Sequence, residues 1–418
     1  MEQGIQPKKL FFTSCLALIV TAMTFAIRAE IVTIWGADYQ LTGKELGLIA
    51  GTAFWGFTLA QIFGGPLIDL IGMKRILTIA FIGHILGVIV TIFSASFWPL
   101  FLGTLLIGIA NGAVEAACNP LVTTIYSNSK TKMLNRFHMW FPGGNVIGGL
   151  VAYFMVEELH LSWQLLMGLL LVPTLIYGII FFSMKFPQTE RVASGVSYKG
   201  MLKACVGPLF IFMVICMLLT ASTELGTGQW INALLGQVGV PAILLLVFIN
   251  GIMAIGRLFA GPVVHRLNPP GMLLLSAIIA ALGLFWLSKA DGYTTFAAAF
   301  VFAVGVCYFW PTMLGFVSEY IPQTGALGLN IMGGAGMLSV AIALPFMGAW
   351  YDQHKADALQ QGAAQVAAEL QAGRHTLQNV AVLPLILIVA FTFLFLAYRR
   401  KPRVVLSKEP LATELPQA

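Results

Sequence analysis

Twelve stretches of this chain are apolar over about the 20 residues that a helix needs to cross a bilayer. They run over residues 11–35, 46–72, 76–95, 98–126, 137–157, 162–184, 204–234, 240–266, 271–288, 293–319, 326–350 and 377–398. Hydrocarbon offers no partner to a backbone N–H or C=O, so each stretch must satisfy its own backbone, and a helix does this. The expected fold is therefore an all-α membrane protein of twelve transmembrane helices. Only 10% of the 418 residues are charged, against about 25% in soluble domains. So few charges cannot cover a water-exposed surface, which excludes a soluble enzyme and a disordered chain.

The net charge of +6 is explained by where the cations fall. Lys8, Lys9, Lys74, Arg75, Lys130, Lys132, Arg136, Lys185, Arg191, Lys199, Lys203, Arg266 and the Arg399–Arg403 cluster occupy one set of alternate connections. Lys44, Lys289, Lys355 and Arg374 are alone on the other set. Lysine and arginine stay on the cytoplasmic side, so both termini are expected inside a cytoplasmic membrane. No nucleic-acid partner is needed to explain the basic charge. Lys8-Lys9 before an apolar run imitates a signal peptide; with eleven further spans downstream, an uncleaved first helix is expected. The five cysteines all lie in apolar runs without CxxC or Cys/His spacing, and read as small buried hydrophobes. No HExxH, GxSxG or Walker loop is present, so neither catalytic centre, metal nor cofactor is expected.

The polar segment 185–203 divides the spans into two sets of six. The expected units are residues 1–184, a cytoplasmic linker 185–203, residues 204–398 and a cytoplasmic tail 399–418. The two sets echo each other. Gly65-Pro66 and Gly261-Pro262 are offset by 196 residues, Glu30 and Glu224 by 194, and Gly143-Gly144 and Gly333-Gly334 by 190. Three echoes at nearly one offset indicate a duplicated six-helix unit, which is a transporter signature with its site between the halves near the midplane. A second polar stretch, 352–375, reads as an extracytoplasmic loop carrying a short helix.

Gly65-x-x-x-Asp69-x-x-Gly72-x-Lys74-Arg75 resembles the signature loop between the second and third helices of the major facilitator superfamily. Leu70 stands where a basic residue is usual, and in the second copy His265 and Asn268 replace the acid and the glycine. Glu115-Ala-Ala-Cys-Asn119-Pro120, Leu134-Asn135, Gly256-Arg257-Leu-Phe-Ala-Gly261, Trp310-Pro311-Thr312 and Met332-Gly333-Gly334 resemble, in order, the fucose:proton symporter family with its bacterial glucose and galactose transporters. The resemblance implies two pseudo-symmetric six-helix bundles and uptake of a sugar driven by an ion gradient, with H+ usual and Na+ the alternative. Glu30 falls near the family's helix-one Asp, and His138 replaces its Gln. The competing readings are a proton antiporter exporting drugs or metabolites, and a facilitator for another small polar solute. A single chain is expected to suffice.

A charge at bilayer depth costs about 2.5–3.5 kcal/mol on insertion scales, so intramembrane carboxylates need a reason. Glu115 and Glu30 are the candidates for carrying the coupling proton, and Asn119, four residues after Glu115, shares its helix face. Arg28, two residues from Glu30, calls for a partner on another helix. Sugar sites combine aromatic faces with amides and carboxylates that bond hydroxyls. The mid-span candidates are Asn111, Asn119, His138, Trp140, Asn145, Glu224, Gln229, Trp230, Asn250, Tyr308 and Trp310. Asp69, Lys74, Arg75 and Arg257 are read as gate or latch residues near the cytoplasmic ends. Trp98, Trp163, Trp286 and Trp350 are read as interfacial anchors, and His84 as a structural histidine. Pro120, Pro142, Pro311 and Pro345 interrupt helices.

Overall fold

The computed structural model describes residues 4–228, 242–404 and 406, and among them all regular structure is helical. Twelve helices carry the membrane spans: α1 Pro7–Asp38, α2 Gly43–Ile71, α3 Met73–Ile92, α4 Phe97–Ile125, α5 Ser127–Glu158, α6 Trp163–Phe182, α7 Pro208–Gly226, α8 Ala242–Leu258, α9 Ala260–Leu287, α10 Thr294–Tyr320, α11 Gly325–Gln360 and α12 Gln365–Tyr398. Large apolar side chains such as Leu70, Phe93, Ile179, Leu282 and Phe393 point outward, as a surface facing acyl chains requires.

Among the first six helices, α4 packs on α2 and α3, and α1 packs on α5 and α6; among the last six, α9 packs on α10 and α12, and α7 on α11. The two sets meet along α2–α11, α5–α8, α5–α10 and α4–α11. Small residues let the backbones approach. A Cβ on Gly87 of α3 would lie 2.9 Å from Gly103 O of α4, and one on Gly283 of α9 would lie 2.4 Å from Phe302 N of α10. These two glycines are themselves 196 residues apart.

The same offset relates two turns with positive φ. Gly72, between α2 and α3, has φ 85 and ψ 153. Asn268, 196 residues later, has φ 54 and ψ 171 and breaks α9 into two helical pieces. The eighth span therefore ends near residue 267, as the pattern 240–266 and 271–288 anticipates. That backbone region is nearly confined to glycine. Asn268 holds it with its side chain, Oδ1 accepting from Gly271 N at 3.1 Å and Nδ2 donating to Arg399 O at 3.0 Å.

Three expectations change. Stretch 352–375 is not a loop with a short helix. It is the end of α11 and the start of α12, joined at residues 361–364. Its Ala, Gln, Glu and Leu are strong helix formers, and Lys355 pairs with Glu369 at 2.9 Å across the two helices. Trp163 is not an interfacial anchor. It is buried, edge-on to Trp35, with Nε1 donating to Asp38 Oδ2 at 3.1 Å. Arg28 finds its contact on its own helix, over the Phe25 ring at 5.1 Å. His84 is a fully hydrogen-bonded link, with Nδ1 against Tyr177 OH and Nε2 against Asn111 Oδ1.

Nothing lies within 4 Å of a Cβ placed on Gly72, so Gly72→Ala isolates the backbone cost. Thermal melting in detergent is expected to show a loss of about 1–3 kcal/mol. Asn268→Ala is expected to lose more, because two hydrogen bonds go with the side chain. An Asn268→Ala protein as stable as the parent would show that the second turn is not held this way.

Candidate functional site

Between the two sets of helices lies a small cavity with about 20 Å3 of free space, room for about one water, lined by Glu115 of α4, His138 and Phe141 of α5, Glu224 and Leu225 of α7, Arg257 of α8, Trp310 of α10 and Met337 of α11.

Its electrostatics begin with Arg257, whose side chain is 2% exposed. A buried guanidinium needs an anion and acceptors for its fork of N–H groups. Nη2 meets Glu224 Oε1 at 2.8 Å, Nε donates to Cys307 O at 2.6 Å and Nη1 donates to His138 O at 2.9 Å. Both carbonyls are available because of proline. Pro142 and Pro311 lack the N–H that would close the i→i−4 bonds to His138 and Cys307, and α10 is broken at Cys307-Tyr308. Tyr308 OH in turn donates to Gly256 O at 2.7 Å.

Glu115 of α4 stands in the same lining. Asn119 Nδ2 donates to Glu115 Oε2 at 3.3 Å, while His138 Nε2 donates to Asn119 Oδ1 at 2.9 Å. The i, i+4 spacing along α4 puts Glu115 and Asn119 on one face, and α5 brings His138 to it. The cavity thus holds two carboxyls and one guanidinium. One carboxyl is paired to arginine and the other is bonded to an amide.

Of the residues singled out in the sequence, Glu115, His138, Glu224, Arg257 and Trp310 line this cavity, and Asn119 joins it through its bonds. Arg257 stands in the cavity lining, in an ion pair with Glu224 of another helix. Asn145 Nδ2 donates to Asn250 Oδ1 at 3.0 Å and ties α5 to α8 beside the cavity. Asn111 turns away to His84 and to Thr24, its Nδ2 donating to Thr24 Oγ1 at 2.9 Å. Trp140 is half-buried and is not in the lining. Glu30 is not brought to the cavity either; its neighbour is Glu157 at the far end of α5. Gln229 and Trp230 lie outside the described residues.

A second cluster closes the side on which residues 185–203 cross. Asp69 accepts from Arg191 Nε at 2.6 Å and from Thr189 Oγ1 at 2.5 Å. Lys130 Nζ bonds Glu190 at 2.6 Å and Ser318 O at 3.0 Å. Glu319, 3% exposed, accepts from Thr131 N at 2.9 Å and pairs with Arg403 at 3.0 Å. Lys74 caps the end of α6, donating to Phe182 O and Met184 O at 2.7 and 3.0 Å, whereas Arg75 is exposed. Lys130, Glu190, Arg191, Glu319 and Arg403 are missed by sequence reasoning. Their spacing carries no local signal, and the cations among them look like ordinary cytoplasmic charge.

The sequence profile of the Major Facilitator Superfamily matches residues 10–344. A solute carrier family 2 facilitated glucose transporter, member 10, of Xenopus tropicalis is 29% identical over 138 residues, which are 32% of this chain and 24% of that protein. Myo-inositol transporter 1 of Candida albicans is 24% identical over 200 residues, 46% of this chain and 35% of its own. The chain spans about a quarter to a third of the length of these curated relatives. Among solved structures, a proton:xylose symporter bound to 6-bromo-6-deoxy-D-glucose superposes with a TM-score of 0.76 at 14% identity, covering 96% of this chain and 97% of that one. The E. coli fucose:proton symporter superposes with a TM-score of 0.68 at 16% identity, over 90% and 98% of the two chains. Profile, helix arrangement and whole-length superposition agree: the chain belongs to the Major Facilitator Superfamily.

Proposed function

We propose that this protein is a secondary active transporter that carries a neutral monosaccharide with a proton across the cytoplasmic membrane by alternating access. The observation that carries the reading is the cavity at the seam of the two helix sets, where Glu115, Asn119 and His138 form one hydrogen-bonded chain beside the Arg257–Glu224 pair. The relatives and structural neighbours named for sugar and inositol transport support the substrate class.

The roles follow from charge balance. Glu224 is neutralised by Arg257, so it stays fixed. Glu115 has no cation bonded to it among the described residues, and one proton on it makes the cavity neutral. We assign the coupling proton to Glu115 and not to Glu30, which faces Glu157 outside the cavity. Asn119 and His138 supply the donors and acceptors that sugar hydroxyls need, and the Trp310 face suits a C–H surface. Asp69 with Arg191, and Lys130 with Glu190, hold the linker side shut. With both termini and the linker inside, this conformer is closed to the cytoplasm. Deformable helices at Pro120, Pro142 and Pro311 fit a moving transporter.

The test is to express the protein in transporter-deficient cells and add single sugars to a weakly buffered suspension while recording external pH. One sugar is expected to cause alkalinisation. Glu115→Gln is expected to abolish that signal and concentrative uptake while exchange of labelled sugar persists. Unchanged pumping by Glu115→Gln would overturn the assignment of the proton. Uptake of that sugar without any pH change would overturn proton symport.

Arg257→Gln leaves Glu224 as a buried charge without its partner, which costs about 3–5 kcal/mol. Detergent melting should show that loss. The double variant Arg257→Gln/Glu224→Gln should recover most of the stability but not transport. If the single and double variants melt alike, the pair is not what neutralises Glu224.

Asp69→Asn keeps shape and removes the charge that Arg191 and Thr189 hold. Uptake should fall several-fold in maximal rate with little change in KM, because the cavity is untouched. A change confined to KM would place Asp69 in sugar binding instead of in closure.

A further inference from the structure

A membrane helix with an internal proline leaves one carbonyl without its intrahelical donor, and another group must supply one. Three prolines beside the cavity create such carbonyls, and all three are recaptured by a side chain from another helix. Pro120 frees Ala116 O, which accepts from Asn330 Nδ2 at 3.3 Å. Pro142 frees His138 O, and Pro311 frees Cys307 O; both accept from the one guanidinium of Arg257, at 2.9 and 2.6 Å. Asn330 also donates to Ala326 O on its own helix at 2.8 Å.

These contacts differ in what they join. Cys307, Glu224 and Arg257 all belong to the last six helices, so those bonds move together when the two helix sets shift. His138 belongs to α5, among the first six. The Nη1–His138 O bond therefore crosses the seam, and any separation of α5 from α8 must break it. With proline at residue 142, His138 O has no intrahelical donor and gives its acceptor capacity to Arg257; an N–H there would share the carbonyl and weaken that bond. The guanidinium is then held at three points, with Nη2 on Glu224, and Glu115 is left to the amide of Asn119.

We infer that Pro142 and Pro311 are positioning residues for Arg257: Pro311 fixes the guanidinium within its own helix set, and Pro142 makes its bond across the seam a tether that exists only in the conformer closed on the linker side. This deepens the transport reading and rests on it for the existence of a second conformer. When the tether breaks, Nη1 becomes a free donor inside the cavity, next to the carboxyl assigned to the proton. Movement of the helices and placement of a positive donor are thereby one event.

The experiment reads conformation without any substrate. Thr324 lines the linker-side cavity and is 1% exposed; Thr324→Cys in a Cys205→Ser background reports opening of that side through its rate of alkylation. Pro142→Ala restores an N–H that shares His138 O with Nη1 and is expected to raise labelling several-fold, up to the about ten-fold that one charge-assisted hydrogen bond is worth. In the Arg257→Gln/Glu224→Gln background, which leaves no buried charge, labelling is expected to be raised already and Pro142→Ala to add nothing. An equal increase in both backgrounds would mean that Pro142 acts through helix bending alone and would overturn the inference. So would an unchanged rate with Arg257 present. Pro311→Ala, acting within one helix set, is expected to leave labelling near the parent and to move the pH profile of uptake. A shift in labelling as large as that of Pro142→Ala would remove the distinction between the two prolines. Labelling as expected in a protein that takes up no sugar would overturn the substrate reading and leave the tether standing.

Discussion

The interaction on which this architecture turns is the burial of the Arg257 guanidinium between the two helix sets. A cation out of water is stable only with an anion and with acceptors for its remaining donors. The chain supplies the anion from α7 and the acceptors from α5 and α10. Four helices are thereby committed to one another at the depth where the cavity lies. Proline in two of these helices leaves the acceptors without their intrahelical donors, so they turn fully to the guanidinium. What looks like a defect in each helix is a ligand for the charge, and neither the prolines nor the arginine make physical sense alone.

The duplication visible in the sequence explains which features repeat and which do not. Backbone requirements are kept at an offset of 196 residues: a turn with positive φ at Gly72 and Asn268, and close helix contact at Gly87 and Gly283. Side-chain charges are not kept. Asp69 has His265 at its counterpart position, and the chain closes the two sets by different means. The linker binds the first set through Arg191 on Asp69, while the tail binds the last set through Arg403 on Glu319. Asn268 shows how the second copy tolerates losing its glycine, since its amide ties the strained turn to Gly271 and to Arg399.

The twelve spans, the superfamily loop and the carboxyl–amide face of α4 were legible from sequence because each is local. Hydropathy marks a span, and an i, i+4 spacing places Glu115 beside Asn119. The rest depends on partners far apart in the chain. Nothing in residues near Arg257 says that it meets Glu224, 33 positions away, or His138, 119 positions away. Sequence named Glu115 and Glu30 as proton carriers and Glu224 as a ligand contact; packing brings Glu115 and Glu224 to one cavity and leaves Glu30 against Glu157. The helical end of α11 was hidden because its polar composition resembles that of a loop. Trp163 sits at a span end like a belt residue, yet packing against Trp35 withdraws it from the surface.

The charges at the site also limit what a cycle through this cavity can do. Two carboxylates and one guanidinium leave one excess negative charge, and moving a net charge through a low-dielectric passage is costly. In the proposed cycle a proton on Glu115 cancels that excess while the Arg257–Glu224 pair remains intact. A neutral ligand then leaves the balance untouched, whereas an anionic one would need a second proton or a second free cation in the cavity. Releasing the proton restores the excess charge, and the donor best placed to answer it is the Nη1 group that the seam frees when α5 withdraws. In that proposed cycle the tether yields first, the freed donor turns to Glu115, and the proton leaves toward the side that has just opened.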